Sequence, residues 1–152
     1  KFIIEYNWID HRVYRHLFPI NTSYSYEYPL GFWAGPHSQE LYLQYNMTVL
    51  SFKLETKASF VKRGHLTNKM LNDQYNNIMN DRFSGPNEKR KHISLKLNKN
   101  IYKDIAGFSI GVDYVDWKNP GFDPFNPEDQ GKIISKISVN ASLDLALNFA
   151  SY

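Results

Sequence analysis

The sequence predicts an all-β fold, an antiparallel up-and-down transmembrane β-barrel with short periplasmic turns and long extracellular loops. Three observations support this prediction: the aromatic content, a period of two in the apolar residues, and a regular alternation of short and long connections. Tyr, Phe and Trp together make up 16% of the 152 residues. Such an aromatic content favours strands and is unlike that of disordered chains.

Two segments between residues 41 and 60 form the first predicted hairpin. Apolar side chains occupy the odd positions from Leu41 to Met47 and the even positions from Leu50 to Phe60. Alternate residues of a strand point to the same face, so each segment has one apolar face. The change from odd to even positions places a turn within residues 46–49.

The same design recurs in the second half of the chain. Apolar residues alternate from Ile93 to Leu97 and from Ala106 to Tyr114, with a predicted turn at residues 98–100. The last segment alternates from Ile133 to Phe149, and no charge interrupts the apolar face of any of these segments. Together with the N-terminal segment, the predicted strands are residues 1–9, 39–46, 49–62, 91–98, 101–115 and 132–150.

The strand lengths and the connections favour a membrane. Globular strands average about 5–6 residues, whereas a tilted strand that crosses a bilayer needs about 9–11, and segments 49–62 and 132–150 are that long. Short turns alternate with long polar loops at residues 18–38, 62–91 and 115–131, which is typical of outer-membrane barrels with the long loops outside the cell. A soluble β-sandwich or lipocalin-like barrel has the same alternation with its apolar face turned inward, and this alternative stays open.

The number of strands bears on the domain organisation. Six predicted strands are fewer than the roughly eight with which small membrane barrels close. We therefore expect residues 1–152 to form a single β-barrel domain that is the C-terminal part of a longer barrel, unless further strands lie in residues 10–38. The first residue is Lys1 rather than Met, as in a processed chain or a piece of a longer one. A short helix is predicted after Thr67, within the second long loop.

Composition excludes several classes of protein. No stretch approaches the ~20 apolar residues of a membrane-spanning helix. The absence of cysteine removes disulfides, zinc–cysteine sites and thiol nucleophiles. The net charge is +3, but the basic residues are scattered along the sequence, so nucleic acid is not expected as a partner.

No catalytic or metal-binding motif is recognisable in the sequence. The chain lacks a G-x-S-x-G elbow, an H-E-x-x-H motif and a glycine-rich phosphate loop. His11 and His16 are five residues apart on an extended segment, so they point to opposite faces and make a poor metal pair. The acidic residues between Asp113 and Asp129 match no calcium-loop spacing. We expect no enzymatic activity, no cofactor and no metal site.

The N-terminal part carries the most distinctive motifs. They are Glu5-Tyr6, the Tyr14-Arg15-His16 element, a Tyr-rich segment from Asn21 to Tyr28 that leads into Pro29-Leu30-Gly31, and Gly35-Pro36 followed by Leu41-Tyr42-Leu43. In this order the motifs resemble the closing region of the capsule assembly protein family, the Wzi-type outer-membrane β-barrels. The resemblance covers the C-terminal portion of that family's length. It implies a barrel in the outer membrane of a Gram-negative cell that binds capsular polysaccharide without catalysis.

Aromatic and polar residues in the predicted loops are the candidates for contact with a sugar. Aromatic rings stack on the C–H faces of sugars, and polar side chains exchange hydrogen bonds with sugar hydroxyls. The candidate carbohydrate-binding residues are Trp33, His37, Tyr24, Tyr26, Tyr28 and Trp117. Alternatively, Tyr and Trp near strand ends form the aromatic girdles of a barrel, which need no ligand.

Three functions agree with these observations. The first is an outer-membrane protein that binds capsular or surface polysaccharide and helps to attach or assemble it at the cell surface, with polysaccharide and outer-membrane lipid as partners. The second is an outer-membrane channel, and the third is a soluble carbohydrate-binding β-sandwich. Inward-facing charges of both signs predict mutual pairing instead of an ion-selective pore; they are Lys53, Glu55, Lys57, Lys96 and Asp113. The sequence defines no oligomeric state.

Overall fold

One antiparallel sheet makes up most of the described part of the protein. The computed structural model describes residues 1–10, 24–25, 28–29, 34–35, 37–65, 83, 85–102, 106–124 and 131–145. In chain order the strands are β1 (Phe2–Ile9), β2 (Tyr24–Ser25), β3 (Tyr28–Pro29), β4 (Ser38–Val49), β5 (Phe52–Gly64), β6 (Asn87–Tyr102), β7 (Ala106–Lys118) and β8 (Ile133–Leu145). The short strands β2 and β3 pair with each other, and the other six form the sheet.

The six long strands follow one another in an up-and-down order. The sheet order is β1, β4, β5, β6, β7, β8, and every neighbouring pair is antiparallel. The described residues contain no helix that is long and apolar enough to cross a membrane. The predicted all-β, antiparallel up-and-down arrangement is confirmed. The helix predicted after Thr67 lies outside the described residues.

The connections leave the sheet at two distinct ends. Residues 50–51 and 103–105 join strands at one end, which we call the short-turn end. Residues 10–37, 65–86 and 119–132 join strands at the other, which we call the long-loop end. Short and long connections therefore alternate along the chain as predicted.

β4 and β6 extend beyond their predicted bounds and β5 and β7 begin later than predicted, so the predicted turn positions were wrong. Leu50 and Ser51 form the first turn, not residues 46–49. Both have positive φ, 47° and 71°, as a two-residue type I′ hairpin requires. The second turn, predicted at residues 98–100, comes after Tyr102, and β6 begins at Asn87 instead of residue 91.

Lys99 accounts for the late position of the second turn. A lysine between two asparagines suggests a turn, yet the Lys99 side chain lies over Phe52, with Nζ 4.5 Å from the ring centroid. Its apolar stem and this cation–π contact allow it to sit on an apolar face. The strand therefore continues past it.

The register sorts the side chains of the sheet onto two faces. The apolar face carries the even-numbered residues of β1, β5 and β7 and the odd-numbered residues of β4, β6 and β8, up to a bulge at Asn100–Tyr102. The remaining residues form the polar face. Beyond the apolar runs recognised in the sequence, the apolar face of the described strands carries charges near its two ends: Lys62, Lys89, Lys91, Asp116 and Lys118 at the long-loop end and Lys99 at the short-turn end.

The polar face is the more buried of the two. Glu40 is 7% exposed while its apolar-face neighbour Leu41 is 37% exposed, and Ser109 is 6% exposed beside Ile110 at 43%. No described strand outside the sheet packs on either face. This order of burial is the reverse of that in a soluble sheet packed on a hydrophobic core.

Hydrogen bonds join the polar side chains across strands. Asn140 of β8 donates through Nδ2 to Asp113 Oδ2 of β7 at 3.1 Å. His92 of β6 lies on the other side, with Nε2 3.2 Å from Asp113 Oδ1. The hydroxyls of Ser109 and Ser142 are 2.7 Å apart. These contacts run from β6 to β8, and Asp113 takes part in two of them.

A substitution at Gly111 tests how closely side chains pack on the polar face. A Cβ at Gly111 would lie 2.6 Å from Asn140 Oδ1, so Asn140 must move and lose its hydrogen bond to Asp113. We expect Gly111→Ala to be less favourable for the free energy of unfolding, by up to about 1 kcal/mol, in the wild type than in the Asn140→Ala background, where the obstructing amide is absent. Urea unfolding of the four proteins, monitored by tryptophan fluorescence, measures this coupling. Equal costs in both backgrounds would contradict it.

Candidate functional site

Four side chains meet on the polar face at the long-loop end of the sheet. The register pairs Arg63 of β5 with Glu88 of β6, and Arg90 of β6 with Trp117 of β7. Glu88 and Arg90 are two residues apart, so they share the polar face. We call these four residues the Trp117 cluster.

Glu88 is the centre of the Trp117 cluster. Its Oε1 accepts a hydrogen bond from Trp117 Nε1 at 2.6 Å, and its Oε2 lies 3.6 Å from Arg63 Nη1. The side chains of Arg63 and Glu88 are 24% and 15% exposed, so this ion pair is better shielded from water than one at an open surface. Arg90 Cζ lies 5.3 Å from the centroid of the Trp117 ring, a cation–π distance. The indole is thus held at its N–H and at one face.

His37 lies at the start of β4 and is fully buried. Its Nδ1 is 2.6 Å from the carbonyl oxygen of His65. Because a carbonyl oxygen can only accept, Nδ1 carries the proton. The ring stacks on Phe83 with centroids 5.4 Å apart, and the next residue, Ser38, is the register partner of Arg63. These contacts hold the residues that precede β4 next to the end of β5.

Asn119 closes the other side of the cluster, directly after β7. It is 1% exposed and has a φ of 56°, a left-handed conformation that asparagine tolerates. Its Nδ2 donates to the carbonyl oxygen of Asn87 at 2.9 Å, which ties it to β6. Its backbone N–H donates to the carbonyl oxygen of Lys132 at 2.8 Å. The start of the third long connection is therefore fastened next to Trp117.

The Trp117 cluster combines aromatic and charged groups that can contact a polar ligand. An indole ring, a carboxylate and two guanidinium groups lie in one patch, and proteins use such groups to stack on sugars and to bond their hydroxyls. Arg63 Nε and Asn87 Oδ1 are buried without a hydrogen-bond partner among the described residues. Across the described ranges, no three His, Asp or Glu side chains converge as a metal site.

The structure locates some of the predicted site residues. Trp117 belongs to the cluster on the polar face, whereas His37 is 0% exposed, so a sugar would reach it only after its neighbours moved. Tyr24 and Tyr28 lie in the β2–β3 bridge, and their side chains are outside what the structure describes. Trp33 and Tyr26 also lie outside the described residues. A sugar-binding role for all six predicted residues stays a prediction.

Arg63, Glu88 and Arg90 were not predicted as site residues from the sequence. All three lie beyond predicted strand ends, since residues 62–91 were predicted to be a loop. A signal existed, because the alternation in β6 continues back from Ile93 with charged residues on both faces. Without apolar residues to mark one face, that alternation is not distinguishable from a polar loop.

Comparison with known proteins gives no family for this chain. Neither a protein-family model nor a curated protein nor a solved structure matches it significantly. A function is therefore inferred from the geometry of the sheet and from the sequence motifs.

Glu88 offers a test of the cluster's internal bonding. Glu88→Ala leaves the Trp117 N–H without its acceptor and Arg63 without its carboxylate, so we expect the free energy of unfolding to fall by about 1–3 kcal/mol. Glu88→Gln keeps an acceptor oxygen for Trp117 and should lose less. Urea unfolding of both variants measures the difference, with Glu5→Ala, in the middle of the edge strand β1, as the control for loss of one carboxylate. Indistinguishable midpoints for the two Glu88 variants would refute the role of the Trp117 hydrogen bond.

Proposed function

We propose that the chain is part of an outer-membrane β-barrel that binds capsular or surface polysaccharide and helps to attach or assemble it at the cell surface. The observation that carries the proposal is the reversed burial of the two faces. In a membrane barrel, apolar side chains face lipid and polar side chains face the lumen. The polar face is then the concave one, where side chains crowd together.

The apolar face is large and exposed. Phe2, Ile4 and Tyr6 of β1 are 61%, 59% and 61% exposed, and Ile137 and Val139 of β8 are 71% and 69% exposed. Soluble proteins rarely expose contiguous apolar patches of more than a few hundred Å². An apolar face that runs across six strands is better explained by contact with lipid than by contact with water.

The length of the apolar face along β6 supports the same contact with lipid. On β6 the apolar residues lie between Lys91 and Lys99, which are about 26 Å apart along the strand at ~3.3 Å per residue. With the ~35–45° tilt of barrel strands, this length becomes about 20 Å across the membrane, close to the ~25 Å apolar band of outer-membrane barrels. The lysine stems extend the band by reaching toward the interfaces.

The polysaccharide part of the proposal draws on the Trp117 cluster and on the motifs of residues 5–43. The cluster lies at the long-loop end, which faces the cell exterior if the chain follows outer-membrane barrels. There the cluster gathers an indole and three charged groups, bonded to one another, at the end of the sheet where a surface polymer would lie. The resemblance to the capsule assembly family supports capsular polysaccharide as the ligand, and Trp33 with the tyrosines of residues 24–28 as further contacts.

Pairing of charges on the polar face makes a channel the weaker alternative. Lys57 Nζ lies 2.8 Å from Glu55 Oε1, and Asp113 is hydrogen-bonded by Asn140 at 3.1 Å and lies 3.2 Å from His92 Nε2. A selective pore usually presents rings of one charge sign. The described polar face has the mixed, bonded character of a packed lumen.

Membrane placement is tested by arginine on either side of β8. Val139→Arg puts a charge on the apolar face at mid-band, which costs about 2–4 kcal/mol in a bilayer, so it should block assembly into the outer membrane. Ser138→Arg adds the same side chain to the polar face opposite Asp113 and should be tolerated. The measurement is the amount of heat-modifiable barrel in purified outer membranes. Equal tolerance of both variants would favour the soluble sandwich.

Polysaccharide binding is tested by replacing Trp33 and Trp117 together with Ala in the chromosomal gene of the native, capsulated host. We expect the double variant to release capsule into the medium with unchanged barrel abundance in the membrane. The double change is the fair test because stacking by one ring contributes only about 0.5–1.5 kcal/mol, which a multivalent polymer can mask.

Trp8→Ala is the matched control, since Trp8 lies on the apolar face and should not affect capsule. If capsule is retained in the double variant and in a gene deletion alike, the proposed function is wrong. Release in the deletion alone would keep the function and reject these two residues.

A further inference from the structure

Three lysines lie side by side on the apolar face at the long-loop end. The register pairs Lys62 of β5 with Lys89 of β6, and Lys89 with Lys118 of β7. All three are exposed. Neighbouring strands are ~4.8 Å apart, so the three backbone positions lie within about 10 Å. We call them the lysine row.

Among the described residues, no carboxylate pairs with a lysine of the lysine row. Like charges directly opposite each other on neighbouring strands are destabilising. Asp116 is the one carboxylate of the apolar face among the described strands, and it pairs with a different lysine, Lys91, at 3.8 Å. Lys62 contacts the Phe83 ring, with Nζ 5.9 Å from the centroid, which does not neutralise it. A row of this kind is stabilised by an anion that spans several ammonium groups.

The position of the lysine row indicates the kind of anion. The next row toward the short-turn end contains Phe60 and the Lys91–Asp116 pair, and beyond it the same face is apolar, as at Ala58 and Ile93. A ligand that contacts both regions must be anionic at one end and apolar at the other. The short-turn end of this face carries only Lys99 among the described strands, so the charge is concentrated at one interface.

We propose that the lysine row binds the phosphate groups of an anionic lipid in the leaflet at the long-loop end, with the lipid's acyl chains along the apolar face. This inference rests on the proposed membrane placement and adds a lipid class and a leaflet to it. The lysine stems pack on the apolar face while their ammonium groups reach the phosphates.

The test measures lipid selectivity of the full-length protein in phosphatidylcholine vesicles that contain trace spin-labelled phosphatidylglycerol or phosphatidylcholine. The fraction of label immobilised at the protein reports relative affinity. We expect the wild type to prefer phosphatidylglycerol by about fivefold or more at low salt, since one lysine near an anionic lipid contributes about that factor. Lys62→Gln/Lys89→Gln/Lys118→Gln should reduce the preference to near unity.

The control is Lys53→Gln/Lys96→Gln/Lys136→Gln, which removes the same charge from the polar face and should keep the preference. Flotation of the vesicles separates the two proposals. Protein that floats but shows no headgroup preference, or a preference that both triple variants lose equally, would overturn the lysine-row inference alone. Protein that fails to float would overturn the membrane placement together with it.

Discussion

The period of two in an extended backbone is the constraint on which the rest of this structure depends. Each residue of a strand can reach only one face, and a register shift of one residue would exchange the faces completely. From β1 to β8 the register always pairs apolar-face residues with apolar-face residues. Tyr6, Leu41 and Phe60 therefore lie in one row across three strands. The register irregularity between Asn100 and Tyr102 lies near the end of its strand, where few later pairs are affected. Continuous apolar and polar faces follow from this.

The sequence could predict the strands and their order because apolar alternation is a local signal. The odd positions from Leu41 and the even positions from Phe52 define a hairpin whichever residues form its turn. The turn itself was not predictable, because Leu50 and Ser51 adopt the positive φ values that Asn-Gly would have signalled. The full length of β6 could not be predicted from the sequence for a related reason. Its outer residues are charged on both faces, and only pairing with β5 and β7 identifies them as strand.

The candidate site was less predictable than the fold because its contacts join distant parts of the chain. Trp117 could be proposed from its residue type, but its partner Glu88 is 29 residues away and lies in a segment without apolar alternation. His37 shows the converse limit, since its exposed position in a polar loop was inferred from sequence. Its burial depends on Phe83 and His65, which the pairing of β4 with β5 and of β5 with β6 brings to it.

The Trp117 cluster and the lysine row are two consequences of the same alternation. Their members are adjacent in sequence: Lys62 with Arg63, Glu88 with Lys89, and Trp117 with Lys118. Each pair places one charged or aromatic group on the polar face and one lysine on the apolar face of the same strand end. An anion held by the lysines would therefore restrain the backbone that carries Arg63, Glu88 and Trp117. Because three neighbouring strands share this arrangement, lipid contact outside and ligand contact inside would be coupled through the backbone hydrogen bonds between β5, β6 and β7.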